Sequence, residues 1–277
     1  MNFFQSIILG LAQGLTEFLP VSSSAHLVFI QTFFGLNPSE MISFDVFLHF
    51  GTLLAVVVVL REYLMRITKA IFSFGNSNRT QEQLEERRTY IKLFWMLIIG
   101  TLPAGIIGVV FKSKFEEIFS STYAVAVFLI ITGFILWITK YFYNGDRKEN
   151  NLNLKQTLLI GFAQAFAIFP GISRSGSTIT AGLVQKLDKK FSAEFSFLLS
   201  IPVILGATVL EVKHIINLNA PQLLLIKFLT GTIAAFLSGW IAIKFLIKFI
   251  ERNKLYLFSY YCWFIGILVI ILKHSGI

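Results

Sequence analysis

Long apolar runs separated by short polar and basic segments are the dominant pattern of this chain. Each of the runs at about 44–63, 91–111, 123–143, 193–212, 222–248 and 255–273 is long enough to cross a bilayer as a helix. Two further apolar segments, 1–36 and 154–187, are interrupted near their middles by clusters of proline, glycine and serine. The pattern therefore predicts an all-α polytopic membrane protein with six spanning helices and two broken segments.

The two breaks read LPVSSSAH at 19–26 and FPGISRSGS at 169–177. Proline and glycine end helices and leave backbone polar groups unpaired, which lipid tolerates only where protein or water surrounds them. Both broken segments are therefore predicted to be re-entrant helix hairpins. Because basic loops mark the cytoplasmic side, segment 154–187 should enter from inside and segment 1–36 from outside. The same alternation places loops 112–122 and 213–221 outside, together with the C-terminus.

The two broken segments also resemble each other in sequence. GLAQGLTEFLPVSSSAH at 10–26 aligns with GFAQAFAIFPGISRSGS at 161–177, with a one-residue gap before the proline. Each hairpin precedes three predicted spans, and the two hairpins enter from opposite sides. The sequence thus predicts one membrane domain of two inverted repeats, about 1–143 and 154–273, whose hairpin tips meet near the midplane. Chance similarity between two short apolar segments is the alternative.

Composition and charge exclude several classes of protein. The chain is 55% hydrophobic and 14% charged, which excludes a soluble domain with polar surfaces. Its net charge of +9 lies between the spans, so positive-inside topology explains it and no nucleic acid partner is predicted. Cys262 is the only cysteine, which excludes an intrachain disulfide, and we interpret it as a small buried apolar residue. No Lys or Arg precedes Arg61, so a removable signal peptide is not expected.

The second break carries an arginine among hydroxyl groups. The guanidinium of Arg174 offers a planar fork of donors that suits phosphate oxygens, and it keeps its charge when desolvated. Ser173, Ser175 and Ser177 add hydroxyl donors, and Gly176 lets the backbone approach an anion. A helix that begins after the break would direct its N-terminus at the same anion. We interpret this stretch as a phosphate-binding cradle.

The first break carries groups that could perform phosphoryl transfer. Gln13 and Glu17 are four residues apart and share one helix face, where Glu17 could hold a divalent cation (Mg²⁺ or Ca²⁺) or orient a base. Ser23 or His26 could attack phosphorus, and His26 can transfer protons near neutral pH. Because ionisable groups inside a membrane are costly, they mark functional sites. Together with Arg174, these residues predict phosphoryl transfer on a lipid phosphate.

Three further residues are secondary candidates. Ser22 lies in the first break, and Asp45 and His49 are one helical turn apart on a predicted span. Asp45 and His49 either line the site or form a packed pair that stabilises the hairpin. Two alternatives to an enzyme stay open: a lipid-phosphate flippase that uses the same midplane site, and a purely structural ion pair between Glu17 and Arg174.

These motifs resemble those of the undecaprenyl-diphosphate phosphatase (bacitracin-resistance protein) family. QGLTEFLPVSSSAH at 13–26 is similar to the family's (E/Q)xxxE stretch running into LPVSSxxH, and PGISRSGST at 170–178 is similar to its PGxSRSG stretch. The resemblance covers essentially the whole chain. It implies removal of the terminal phosphate from undecaprenyl diphosphate, which recycles the lipid carrier of peptidoglycan synthesis. It also implies that the activity is carried by Glu17, Ser23, His26, Ser173 and Arg174.

The same resemblance implies the setting of the enzyme. We expect a multi-pass protein of the bacterial plasma membrane, surrounded by lipids, with a polyprenyl diphosphate substrate, an active site facing outside and a divalent cation. Gln13 stands where many members have Glu, which would remove one carboxylate from a metal site, and Ala25 stands where Gly is common. A rival class of membrane phosphatase does not fit, because Thr180 occupies the position of its histidine. The oligomeric state is open, with a homodimer as one alternative.

Overall fold

The computed structural model describes residues 1–73, 80–142, 144–217 and 222–275. Within these residues the only β-type pairing is an isolated bridge between Arg147 and Leu187. The described helices are α1 (Phe3–Phe18), α2 (Ser23–Phe33), α3 (Ile42–Val59), α4 (Arg61–Phe72), α5 (Gln81–Val110), α6 (Lys112–Phe119), α7 (Thr122–Ile138), α8 (Leu154–Phe166), α9 (Arg174–Val184), α10 (Lys189–Asn217), α11 (Gln222–Ile250) and α12 (Leu257–His274).

Six segments among the described residues are long and apolar enough to cross a membrane. They are α3, α5, Thr122–Tyr141, Lys189–Glu211, Leu223–Ile250 and α12. Each overlaps one of the predicted apolar runs, so the all-α polytopic architecture is confirmed. The predicted loop 213–221 is shorter than expected, because α10 continues to Asn217. Residues 218–221 lie outside the described part of the chain.

The predicted basic loop at 61–92 contains more helix than expected. α4 occupies its first part, and Ile67 and Ala70 lie buried on the inner face of this helix. The ring of Tyr63 on α4 meets the ring of Tyr90 on α5 edge-on, with centroids 6.2 Å apart. The apolar residues of α4 recur with helical spacing between its charged residues. This short helix therefore packs its apolar face against the start of α5. Residues 74–79 of this loop lie outside the described part.

Both broken segments form pairs of helices. Hairpin 1 is α1 with α2, and hairpin 2 is α8 with α9; α1 packs on α11, and α8 packs on α5. A Cβ atom at Gly10 would lie 2.3 Å from the carbonyl oxygen of Gly231, and one at Gly161 would lie 2.6 Å from that of Gly100. Aligned glycines therefore permit both close crossings. These matching contacts support the predicted repeat, whereas the opposite orientation of its halves stays a prediction.

The helices around the two hairpins bring their tips together. α10 packs against α3, α5 and α9, and α7 packs against α12 while contacting both α2 and α9. Phe18, at the end of α1, is fully buried and meets Phe197 of α10 edge-on at 5.3 Å. The second helices of both hairpins therefore share α7 as a neighbour, which places the two breaks side by side.

Candidate active site

A serine caps the helix that begins after each break. Ser22 caps α2, and its Oγ accepts a hydrogen bond from the N–H of Ala25 at 3.3 Å. Ser173 caps α9 in the same way, accepting from the N–H of Gly176 at 3.0 Å. A capping hydroxyl satisfies one of the N–H groups that the first turn of a helix leaves unpaired. Both tips therefore end in the N-terminus of a helix, where anions are stabilised.

The backbone at both tips adopts uncommon conformations. Ser22 has φ 65° and ψ 95°, in a region that residues with a side chain rarely adopt. Gly171 has φ 101°, and a Cβ atom there would lie 2.3 Å from the carbonyl oxygen of Val125, so glycine is required. Such strained residues cluster at active sites. Nothing in the sequence signals the strain at Ser22.

The two tips are in direct contact. The N–H of Gly171 donates to Ser24 Oγ at 3.2 Å, and Ser175 Oγ donates to the carbonyl oxygen of Leu19 at 3.4 Å. The shortest contact joins the two charges: Arg174 Nη2 donates to Glu17 Oε1 at 2.6 Å. The tips are therefore held by an ion pair and by hydrogen bonds in which hairpin 2 supplies the donors and hairpin 1 the acceptors.

Glu17 lies at the centre of this contact and is only 7% exposed. While Oε1 accepts from Arg174, Oε2 accepts from Ser23 Oγ at 2.6 Å and from Gln13 Nε2 at 3.1 Å. His49 Nε2 lies 3.4 Å from the same Oε2 atom. A buried carboxylate needs partners of this kind to remain charged. The Glu17 carboxylate can therefore act as a base towards the Ser23 hydroxyl through Oε2, while its Oε1 is paired with the positive charge of Arg174.

Arg174 connects hairpin 1 with α10 as well. Its Nη1 donates to the carbonyl oxygen of Ser196 at 3.0 Å, and its side chain is 17% exposed. Beside it, the hydroxyls of Thr178 and Ser196 lie 2.6 Å apart. A guanidinium has five N–H donors, so these contacts leave further donors for an anion. Arg174 is thus held in place without being saturated.

The other predicted phosphate-binding residues lie at different depths. The hydroxyls of Ser173 and Ser175 are 3.2 Å apart at the start of α9. Ser177 lies deeper and is 4% exposed, and its hydroxyl has no hydrogen-bond partner among the described residues. Because Ser173 holds the N–H of Gly176, the first-turn N–H groups that remain for an anion are those of Arg174 and Ser175.

His26 lies beside this network, and its ring nitrogens contact other groups. Its Nδ1 is 2.8 Å from the carbonyl oxygen of Ser22, and its Nε2 is 2.8 Å from Tyr261 Oη. Tyr261 belongs to α12, and sequence reasoning missed it, because a tyrosine in a spanning helix carries no distinctive signal. Ser196, whose carbonyl holds Arg174, was missed for the same reason.

Asp45 and His49 have separate positions, although they are one turn apart. His49 Nδ1 donates to the carbonyl oxygen of Asp45 at 2.7 Å, which leaves Nε2 as the atom that can take a proton beside Glu17. Asp45 Oδ1 instead accepts from Gln31 Nε2 of α2 at 2.7 Å. His49 therefore lines the tip contact, whereas Asp45 fastens hairpin 1 to α3.

The donors around Glu17 fit a cation only in part. Among the residues that the structure describes, no three His, Cys, Asp or Glu side chains group as a metal site. Glu17 and Gln13 offer one carboxylate and one amide, and Gln13 Oε1 is buried without a hydrogen-bond partner in the described chain. Mg²⁺ is commonly held by one or two carboxylates together with substrate phosphates. These residues therefore fit a cation that shares its ligands with a phosphate.

Comparisons with known proteins extend over almost the whole chain. The model of the family Bacitracin resistance protein BacA matches residues 6–268. An undecaprenyl-diphosphatase of Methanobrevibacter smithii is 46% identical over 273 residues, which is 97% of each chain. Undecaprenyl-diphosphatases of Halothermothrix orenii and Alkaliphilus metalliredigens are each 41% identical and are aligned over 98% of both chains. These matches cover both hairpins and the residues that form the tip contact.

Proposed function

The chain belongs to the bacitracin resistance protein BacA family, and we propose that it hydrolyses undecaprenyl diphosphate to undecaprenyl phosphate and inorganic phosphate. One observation carries this function: two hydrogen bonds of 2.6 Å connect Ser23, Glu17 and Arg174 where the tips meet. A nucleophile, a base and a cation for the phosphate are what phosphoryl transfer requires. The reaction recycles the lipid carrier of peptidoglycan synthesis and confers bacitracin resistance.

Hairpin 2 binds the diphosphate. Arg174 donates to the phosphate oxygens with the N–H groups that Glu17 and Ser196 do not occupy. The N–H groups of Arg174 and Ser175, in the first turn of α9, add the partial positive charge of a helix N-terminus. The prenyl chain then remains in the lipid while the phosphates reach the tip.

Ser23 acts as the nucleophile. Its Oγ attacks the terminal phosphorus and gives its proton to Glu17 Oε2, while the bond from that phosphorus to the bridging oxygen breaks. Undecaprenyl phosphate leaves with the bridging oxygen. Water then attacks the phosphoserine, the bond from phosphorus to Ser23 Oγ breaks, and Glu17 returns its proton to Ser23 Oγ as inorganic phosphate is released. His49 Nε2, at 3.4 Å from Glu17 Oε2, can hold this proton between the two steps. Ser23 is favoured over His26 because the Ser23 hydroxyl donates at 2.6 Å to the carboxylate of Glu17, which can take its proton.

The remaining groups complete the proposed site. His26 Nε2 accepts a proton from the water that attacks the phosphoserine. A divalent cation, Mg²⁺ or Ca²⁺, would be held by Glu17 and Gln13 with phosphate oxygens, and would neutralise phosphate charge when bound. The topology inferred from the basic loops favours an active site that faces the outer side of the plasma membrane. A flippase is not favoured, since the relatives are named as diphosphatases.

Phosphate release from a long-chain polyprenyl diphosphate, measured with the purified protein in detergent, tests the proposal. Ser23→Ala should lose about 10³-fold or more of the turnover, because the nucleophile is absent. Ser200→Ala is the matched control: Ser200 is 1% exposed, and its hydroxyl donates to the carbonyl oxygen of Phe197 in its own helix. Rapid quenching should trap phosphate on Ser23. Full turnover by Ser23→Ala would overturn the assignment, and lipid movement without phosphate release would indicate a flippase.

A further inference from the structure

Tyr261 of α12 contacts His26 of the candidate site. Its Oη lies 2.8 Å from His26 Nε2, and the two rings are stacked, with centroids 5.7 Å apart and an interplanar angle of 6°. A hydrogen bond fixes the position of one ring nitrogen, and a stacked ring limits rotation of the imidazole about its side-chain bonds. Together the two contacts restrain His26 to one orientation.

The other ring nitrogen determines which atom of His26 carries the proton. Nδ1 lies 2.8 Å from the carbonyl oxygen of Ser22, which can only accept a hydrogen bond. In the neutral imidazole Nδ1 therefore carries the hydrogen, and Nε2 has the free lone pair. Tyr261 Oη donates to that lone pair. Nε2 is consequently the atom that can accept a proton from water and return it later.

We propose that Tyr261 is a positioning residue for His26 in the phosphatase reaction. Its hydroxyl holds the imidazole in the Nδ1–H form and keeps Nε2 in place until a water molecule takes over as the hydrogen-bond donor. This inference rests on the proposed function. It adds α12 to a site whose other assigned residues come from α1, α2, α3, α9 and α10.

The surroundings of Tyr261 support positioning rather than packing. Its side chain is 41% exposed, so the protein core does not confine the ring. The next residue, Cys262, is fully buried with Sγ 3.8 Å from the carbonyl oxygen of Pro20, which places this turn of α12 against the first break. Tyr260 instead packs edge-on against the rings of Trp137 and Trp263. Tyr260 therefore packs among aromatic rings, whereas the neighbouring Tyr261 contacts His26.

The comparison of Tyr261→Phe with Tyr260→Phe tests this proposal. Tyr261→Phe keeps the stacked ring and removes the hydroxyl, so we expect kcat for phosphate release to fall about 10-fold with little change in KM. Tyr260 is 50% exposed on the same helix and has its own ring contacts, so Tyr260→Phe should retain the wild-type kcat. A wild-type kcat in Tyr261→Phe would overturn the inference, as would an equal loss in both variants.

Two measurements distinguish positioning from a general loss of structure. In a His26→Gln background, Tyr261→Phe should cause no further loss, because the two residues act as one unit. Nitrogen-15 spectra of the imidazole should show the Nδ1–H form in the wild type and a mixture of tautomers in Tyr261→Phe. Independent losses in the double variant, or an unchanged tautomer, would contradict the proposal. If the wild type releases no phosphate, the proposed function fails, whereas the spectra still report on the Tyr261 contact itself.

Discussion

Hairpin 1 and hairpin 2 each restart their second helix at a serine cap, and each crosses a neighbouring helix at an aligned glycine. They differ at the charged positions. Glu17 of hairpin 1 aligns with Ile168 of hairpin 2, and the residue after the cap is Ser23 in hairpin 1 but Arg174 in hairpin 2. Each hairpin therefore carries a charge that the other lacks. The shared positions build the breaks and the crossings, while the differing positions carry the proposed chemistry.

The complementary charges also explain why the two tips remain together. A carboxylate or a guanidinium buried alone in a protein interior is strongly unfavourable, and each becomes tolerable when it is paired and hydrogen-bonded. Glu17 and Arg174 supply this pairing to each other across the tips. The structural ion pair and the phosphatase site are thus one arrangement, in which a phosphate would bind the guanidinium N–H groups that Glu17 and Ser196 leave free.

The largest effect is expected from Glu17→Gln, which removes the charge of hairpin 1. Glutamine has nearly the same shape and can still accept from Arg174, but it cannot take a proton from Ser23, so kcat should fall about 10³-fold. Glu194→Gln is the matched control, since Glu194 is 7% exposed and accepts a hydrogen bond from Tyr63, which lies outside both tips. Phosphate release measures both variants. A loss below 10-fold in Glu17→Gln would show that Glu17 is not the base.

A smaller effect is expected from Arg174→Lys, which keeps the charge of hairpin 2 and removes the planar fork. An ammonium group on a lysine stem cannot hold the carbonyl of Ser196, Glu17 and a phosphate together, so kcat/KM should fall about 100-fold. Arg66→Lys is the matched control, because Arg66 lies on the exposed side of α4, and it should leave kcat/KM unchanged. Wild-type kcat/KM in Arg174→Lys would mean that charge alone binds the substrate.

Gly10→Ala and Gly161→Ala test the close helix crossing that both hairpins make at an aligned glycine. Each new Cβ atom would overlap a backbone carbonyl, at 2.3 Å and 2.6 Å respectively, so each should lower the free energy of unfolding by about 1–3 kcal/mol. Gly105→Ala in α5 is the control, because its Cβ would meet nothing within 4 Å, and alanine there should be neutral or slightly stabilising. Thermal unfolding in detergent gives the comparison. If Gly161→Ala behaves like Gly105→Ala, the crossing of hairpin 2 is looser than that of hairpin 1.

The smallest effect is expected from Gln164→Leu, at the position that aligns with Gln13. Both amide atoms of Gln164 are buried without a partner among the described residues, whereas Gln13 donates to Glu17. Leucine should therefore stabilise the protein by on the order of 1 kcal/mol and leave turnover unchanged. Gln13→Leu should instead reduce turnover. A loss of phosphate release in Gln164→Leu would give hairpin 2 a role in catalysis beyond anion binding.

The spans and breaks could be predicted because their signals are local. An apolar run of the length of a bilayer indicates a span, and a cluster of proline, glycine and serine indicates a break. α4 was predicted as part of a basic loop, since its charges concealed the spacing of Ile67 and Ala70. The matching glycine crossings could not be predicted, because they depend on which helices become neighbours.

The residues of the candidate site likewise fall into a group that the sequence predicts and a group that only the folded structure identifies. Glu17, Ser23 and Arg174 could be predicted as a group, since ionisable and hydroxyl groups beside a helix break are uncommon. The partner of His26 could not be predicted, because Tyr261 is 235 residues away along the chain and looks like any tyrosine of a spanning helix. His49 and Asp45 could not be told apart either, since only their partners in the folded chain, Glu17 of α1 for His49 and Gln31 of α2 for Asp45, separate them.

Cys262, buried against the first break, makes this chain a ready background for side-specific thiol labelling. It is the only cysteine and is fully buried, so a membrane-impermeant maleimide should leave the wild-type protein unmodified. Ser120→Cys and Glu251→Cys would each add one accessible thiol, at exposed positions that the inferred topology assigns to opposite faces of the membrane. Labelling sealed vesicles from one side would then reveal the orientation of the protein directly, without any change to the residues at the tips.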